Sequence, residues 1–305
     1  MTKNHESKNN PSKKHHYLPR HYLNGFTNSD RSFFVFDKKR DKIFSTSTDD
    51  FFFQNNLNTV TLPDGSSSDF LEDLYTDLEN RCWRSIDTIR GSTHKTPIQP
   101  LDKMHLFLFI VYLYWRLPSN IQFVAKLSEK AFLDNDDFDY FRLMTKSGVK
   151  APPEIADRLK NSSAFKKFFR LVVPLVPLFK DENWAIKLEN WRFLYTGDDK
   201  VWDIVGDNPI IVRENVDSDI VYRFREFVFP VSGKILLINI GQPPQKDLPP
   251  EFTVQFNAAV IENAQRFAAC QNREFLEALV KYYKMHIQFG KTTTIIPEMF
   301  RMLGQ

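Results

Sequence analysis

Apolar residues recur at helical spacing between Phe70 and Ile89: Phe70, Leu71, Leu74, Leu78, Cys82, Trp83, Ile86 and Ile89 share one face, and Gly91 follows. The spacing predicts an amphipathic helix of about six turns, with Asp69 and Glu72 as a capping-box-like start. A second run, Leu101 to Arg116, contains the apolar stretch "MHLFLFIVYLYW" and is stopped by Pro118. It predicts a central buried helix, since residues 104–115 would span only about 18 Å, short of a bilayer core. Shorter helices are expected at 119–133, 137–147 and 153–180, the last broken or kinked by Pro174 and Pro177.

Elsewhere the pattern turns to short β-branched and aromatic runs. "SFFVFDKKRDKIFSTS" (32–47) predicts a hairpin with a charged turn, and "LPDGSSS" (62–68) a loop. From Trp184 the runs "WAIKLENWRFLYT", "KVWDIV", "PIIVRE" and "REFVFPVSGKILLINI" predict a sheet over about 184–241. A loop at 241–250 and helices at 251–269 and 272–286 close the pattern. The fold class is α+β: a helical block, about 69–180, packed on a small mixed or antiparallel sheet. Residues 13–305 are read as a single compact domain behind a frayed polar tail at 1–12.

Composition narrows the function. Hydrophobic content of 42% and charge of 26% fit a folded globule. The 29 phenylalanines against 10 glycines point to an aromatic core and away from glycine-rich phosphate loops, and neither a P-loop nor a dinucleotide fingerprint occurs. A net charge of +3 does not by itself mark a nucleic-acid binder. Cys82 and Cys270 stand in no metal-ligand spacing and fit a reducing compartment. The opening residues lack the apolar stretch of a signal peptide. A cytoplasmic protein with no membrane association is expected.

Four stretches interrupt apolar elements with polar groups. "HHYLPRHYL" brings His15, His16, Arg20 and His21 together; imidazole titrates near neutrality, and a guanidinium suits carboxylate or phosphate. The alternative is that these residues pin the segment by hydrogen bonds. Arg116 ends the central helix, as a dipole-complementing cap or as a cation delivered to a pocket floor. Asp207 and Asn208, before Pro209, sit between two apolar strands, with Arg213 and Glu214 following; ligand contact and ordinary turn chemistry both fit. Ser232 and Lys234 lack an elbow motif and read as turn residues. HExxH is absent, zinc spacing is absent, and the single Glu-x-Lys lies at Glu6 to Lys8 in the tail.

Together these stretches resemble a large, mainly bacterial family of unknown function, DUF4238. The chain carries its His-His-Tyr-x-Pro-x-x-Tyr-Leu-x-x-Phe opening as His15, His16, Tyr17, Pro19, Tyr22, Leu23 and Phe26. The arginine-x-proline step resembles Arg116 to Pro118, and the Ser-Asp-Asn-Pro block resembles Gly206 to Pro209, with glycine in place of the serine. The Phe-Pro-x-Ser step matches Phe229 to Ser232, and a late asparagine-bearing helix matches at Asn257.

The resemblance implies that the separated polar blocks converge. His16, Arg20, Arg116, Asp207 and Asn208 are therefore read as one site, where the N-terminal segment crosses the sheet edge and the central helix terminus. The first expectation is a hydrolase of phosphate esters or nucleic acid, a nuclease-like toxin or phage-defence effector. In it Arg20 and Arg116 clamp phosphate, His16 is the acid or base, and Asp207 orients it or holds a divalent metal. The alternative is a non-catalytic sensor or binding module for an anionic small molecule, RNA, DNA or an acidic partner segment.

Overall fold

Alternation builds the sheets. In a computed structural model, Ser32–Asp37 (β2) and Lys42–Ser47 (β3) form the expected hairpin, paired from Ser32↔Ser47 to Asp37↔Lys42. Its charged turn is held by Asp37 Oδ1, which accepts the N–H groups of Lys39 and Arg40 at 3.0 and 3.2 Å. The structure describes residues 14–61, 65–130, 154, 158, 161–172, 188–196, 204–213, 226–240, 248–290 and 294–304. The expected tail, the helix at 137–147, the Pro174 and Pro177 kink and Glu214 lie outside the described residues.

The remaining strands are Lys14–His16 (β1), Phe53–Asn55 (β4), Val60–Thr61 (β5), Ser67–Ser68 (β6), Arg192–Tyr195 (β7), Ile204–Gly206 (β8), Ile211–Val212 (β9), Phe227–Ser232 (β10), Ile235–Asn239 (β11) and Phe267–Cys270 (β12). Among the described residues they form two four-stranded antiparallel sheets, ordered β3-β2-β12-β8 and β7-β11-β10-β9, besides the small pairs β1-β4 and β5-β6. The step from β8 to β9, through Asp207, Asn208 and Pro209, carries the chain from one large sheet to the other.

The helices are Arg20–Leu23 (α1), Phe70–Arg90 (α2), Pro100–Arg116 (α3), Ile121–Lys130 (α4), Ser163–Val172 (α5), Phe252–Asn263 (α6), Arg273–Gln288 (α7) and Ile295–Gly304 (α8). Period-two alternation divides each large sheet between two cores. Phe33, Val35, Val205, Phe227, Phe229 and Leu237 face one cluster with α2 and α3. Phe36, Ile204, Val228, Leu236 and Ile238 face another with α6, α7 and α8. The architecture is α+β, with the sheets as a middle layer between helices.

Three expectations are corrected. The sheet is not confined to 184–241, because the first hairpin joins β12 and β8. The expected helix at 251–269 ends at Asn263, and Phe267–Cys270 is a strand paired to β2 from Phe267↔Asp37 to Cys270↔Phe34. Cross-strand burial of Ala268, Ala269 and Cys270 outweighs the helical preference of alanine. The capping box at Asp69 and Glu72 does not form: Asp69 accepts the Thr59 hydroxyl at 3.1 Å and Glu72 accepts Asn58 Nδ2 at 2.6 Å. Both carboxylates serve the 57–59 loop instead. Helix α3 matches the expected central helix, with Ile110, Leu113 and Trp115 buried and Arg116 at its last position.

Candidate functional site

The N-terminal segment is a core element before it is anything else. Tyr17, Leu18, Tyr22, Leu23 and Phe26 are all buried. Tyr22 stacks on Phe229 with centroids 5.4 Å apart and donates its hydroxyl to Pro230 O at 2.8 Å. Arg90, from α2, donates to Val231 O, His21 O and Tyr22 O, joining the opening motif to the Phe-Pro-x-Ser step. Gly25 permits this approach, since a Cβ there would meet Arg90 Nη2 at 2.7 Å. Ser232 Oγ accepts Lys234 N at 3.2 Å, the turn role expected of it.

The three histidines part company. His15 is fully buried and its Nδ1 accepts Asn58 N–H at 2.9 Å. His21 lies flat on Trp83, 4.4 Å between centroids, with Nε2 2.7 Å from Asp87 Oδ1. His16, paired to Phe53 in β1-β4, is half-buried at the surface. Desolvation and the neighbouring Arg20 guanidinium lower its pKa, with Arg116 adding to them; the backbone carbonyls of Asp49 and Thr48 oppose the shift. Its Nε2 is buried without a hydrogen-bond partner.

Arg20 is exposed and pairs with Asp49 Oδ1 at 2.9 Å. Pairs so exposed are worth under about 1 kcal/mol, so Arg20 is available to a stronger anion. Lys14 lies 4.9 Å over the Phe53 ring, which also meets His16 at 5.8 Å. His16, Arg20, Lys14 and Phe53 thus neighbour one another at the surface, forming the His16–Arg20 notch, with Asp49 and Asp50 paired to Arg20 and Lys14.

Arg116 stands behind the notch, 3% exposed. Its Nη1 donates to Glu79 and its Nη2 to the His16 carbonyl. Burial pushes the Glu79 carboxyl up, against the pull of Arg116. Beyond them, Tyr75 lies beneath the Arg116 guanidinium at 5.0 Å, and Arg170 of α5 donates to Leu57 O and Asn58 Oδ1, each at 3.2 Å. The sequence reading missed Glu79, Tyr75 and Arg170. Arg170 had a signal, a charge inside the apolar run "FFRLVV"; Glu79 had none, being one of several acids on α2.

Asp207 and Asn208 form a separate cluster. Asp207 is 8% exposed, and its carboxylate accepts Gln265 N–H, Arg266 N–H and Phe267 N–H at 2.7, 2.9 and 3.0 Å. Burial raises its pKa, and the three amides pull the other way. Asn208 donates Nδ2 to Asn263 O at 3.5 Å, and Asn263 returns Nδ2 to Asn208 O at 2.8 Å. Lys38 donates to Ile261 O and Ala264 O at 2.8 and 2.6 Å, capping the end of α6. These contacts fasten the β8–β9 step to the turn before β12.

His16, Arg20 and Arg116 therefore lie near one another, while Asp207 and Asn208 make their contacts with the turn before β12. Tyr17 links the two, since its phenol lies in the field of Asp207 and Arg266. Arg213 is exposed and pairs with Glu226 at 2.9 Å. Among the described residues, no group of three His, Cys, Asp or Glu side chains is placed to hold a metal ion. No helix among them is long and apolar enough to cross a membrane.

The model of one protein family, described as "Protein of unknown function (DUF4238)", matches residues 14–274. No curated protein and no solved structure matches the chain.

Proposed function

The chain belongs to the DUF4238 family, and we propose that it acts on a phosphate ester at the His16–Arg20 notch, with RNA, DNA or a nucleotide as the ligand class. The observation that carries this reading is a half-buried His16 ring whose pKa is lowered by burial, by Arg20 and by Arg116, beside an Arg20 whose own ion pair is exposed. A neutral imidazole keeps one ring lone pair, and this is the group that accepts a proton from an attacking hydroxyl once the ring turns toward the ligand. Arg20 leaves Asp49 to clamp the phosphate, which replaces one exposed ion pair with a charge-assisted, bidentate contact. Phe53, flanked by Lys14 and His16, offers an aromatic face of the kind on which bases stack. Arg116 is committed to Glu79 and contributes charge from behind. A nuclease-like activity of this kind would suit a toxin or phage-defence effector.

A second reading, a non-catalytic module that binds the same anion, is favoured by the state of the carboxylates. Asp207 accepts three backbone N–H groups and Glu79 pairs with Arg116, so both carboxylates already serve the fold rather than His16 or a metal. Incubating the purified protein with RNA, DNA and nucleotides, with and without divalent cations, separates the two. Turnover lost in His16→Ala supports hydrolysis; saturable binding without turnover supports the module; neither binding nor turnover rejects both.

A further inference from the structure

Strand β3 is the outer strand of its sheet, and among the described residues β2 alone pairs with it. It runs six residues, Lys42–Ser47, in unbroken register and without proline. The opposite edge, β8, is three buried residues against α6. Thr48 N–H donates to Arg31 O at 3.3 Å, one step beyond the Ser32↔Ser47 pair. Antiparallel alternation therefore gives the main-chain groups of Lys42, Phe44 and Thr46 to β2 and turns those of Ile43 and Ser45 outward. Phe44, between them, is 37% exposed with its ring edge-on to Phe51. The ends of the strand differ in charge: Lys39, Arg40 and Lys42 stand at the turn, while Asp49 and Asp50 follow the last residue. Asp41 in the turn is taken by Lys284 at 2.5 Å, and Asp49 and Asp50 are held by exposed pairs to Arg20 and Lys14.

We propose that β3 pairs antiparallel with β3 of a second copy of this chain, across a two-fold axis at Phe44. Pairing the two outward residues with each other sets the register. Ile43 of each copy meets Ser45 of the other in a hydrogen-bonded pair, and the two Phe44 residues face each other in a non-hydrogen-bonded pair. The two sheets become one of eight strands, and the Phe44 rings cover each other's exposed area. Reversal of direction sets the Lys39–Arg40 turn of one copy beside Thr48 and Asp49 of the other, so opposite charges meet at both ends. On the other face, Ile43 lies in a groove with Val280, Lys284 and Met285 of α7, and Met285 is 48% exposed. The axis brings the two grooves side by side and extends the contact past a single strand. An unrelated extended segment would use the same backbone groups, whereas a second copy supplies the aromatic ring, the basic turn and the acidic end in matching register. The pairing does not rest on the phosphate-ester reading.

Sedimentation equilibrium of the full chain tests this. The mass should rise with concentration from 35.9 kDa to twice that value, with a Kd of about 10 µM, as suits a small interface. Ser45→Pro removes an outward N–H that β2 does not use, so the variant should keep its circular dichroism spectrum and stay monomeric. Phe44→Cys should form an intermolecular disulfide under mild oxidation, because Cα atoms about 4.5 Å apart are within disulfide reach. Ser45→Cys should not, since each Ser45 is displaced from its copy by two residues along the strand; the native Cys82 and Cys270 are buried. A chain that stays monomeric well above the expected Kd overturns the proposal, and is the result if the chain's own N-terminal residues cover β3. A dimer that persists in folded Ser45→Pro, or cross-linking of Ser45→Cys equal to that of Phe44→Cys, overturns it as well. If Ser45→Pro fails to fold, the two cysteine variants decide alone.

Discussion

Asp207 and Phe267 hold each other by two reciprocal hydrogen bonds: Asp207 N–H donates to Phe267 O at 2.9 Å, and Phe267 N–H donates to Asp207 Oδ2 at 3.0 Å. With Gln265 and Arg266 adding their N–H groups, one side chain organises the turn that ends α6 and starts β12. An Asp-Asn-Pro block between apolar strands is here a fastening between distant parts of the chain.

Replacing Asp207 with Asn trades an acceptor oxygen for an amide that cannot take an N–H bond, leaving at least one buried donor unsatisfied. The expected loss is about 2 kcal/mol, seen as a Tm lower by about 5 °C. Ligand affinity at the notch should be unchanged when measured well below that Tm. Full stability in the variant, or a selective loss of ligand binding, would return Asp207 to the functional site.

Arg116 and Glu79 form a pair whose members depend on each other. Arg116→Met leaves a desolvated carboxyl, already pushed up by burial, without its cation. A loss of about 3–5 kcal/mol is expected. Glu79→Gln in the same chain should recover part of it, because the stranded charge is gone. Urea midpoints at constant m-value for the two single variants and the double variant measure the coupling. Additive losses would show that the pair contributes nothing beyond packing.

His16 gives a pH signature independent of any activity. Its folded pKa lies below the ordinary imidazole value of 6.5, from desolvation first and Arg20 second. Above 6.5 the ring is neutral in both states and adds no slope. As pH falls below 6.5 the unfolded chain takes the proton first, so stability contributed by the neutral ring is progressively lost until the folded ring titrates too. His16→Gln should flatten that part of the acid slope in denaturant unfolding. An unchanged slope would mean that the ring is not desolvated as described.

The two long helices were legible because each carries its own evidence: a one-sided apolar stripe for α2, and a continuous apolar run with a proline stop for α3. Strand β12 was not, because Phe-Ala-Ala-Cys has no period of its own and becomes a strand only between β2 and β8. The nearness of His16, Arg20 and Arg116 was legible in part because charges among aromatics stand out and because the first two lie in one short segment. The role of Asp207 was hidden for a simpler reason: its acceptors' partners are backbone amides some 58 residues along, which have no side-chain identity to read. Asp69 and Glu72 show the same limit, with local capping chemistry overridden by the Asn58 and Thr59 loop.

Hydrolysis of a short RNA and of bis(p-nitrophenyl) phosphate at pH 7.5, by the wild type beside His16→Gln and Arg20→Ala, tests the notch most directly. The expected result is wild-type turnover that falls at least about 100-fold in His16→Gln, as for loss of a general base. In Arg20→Ala, binding should weaken by about tenfold while the chain stays folded, since its ion pair with Asp49 is exposed. Turnover undiminished in His16→Gln, or a wild type that neither binds nor cleaves either substrate, would contradict a phosphate-ester site at His16 and Arg20.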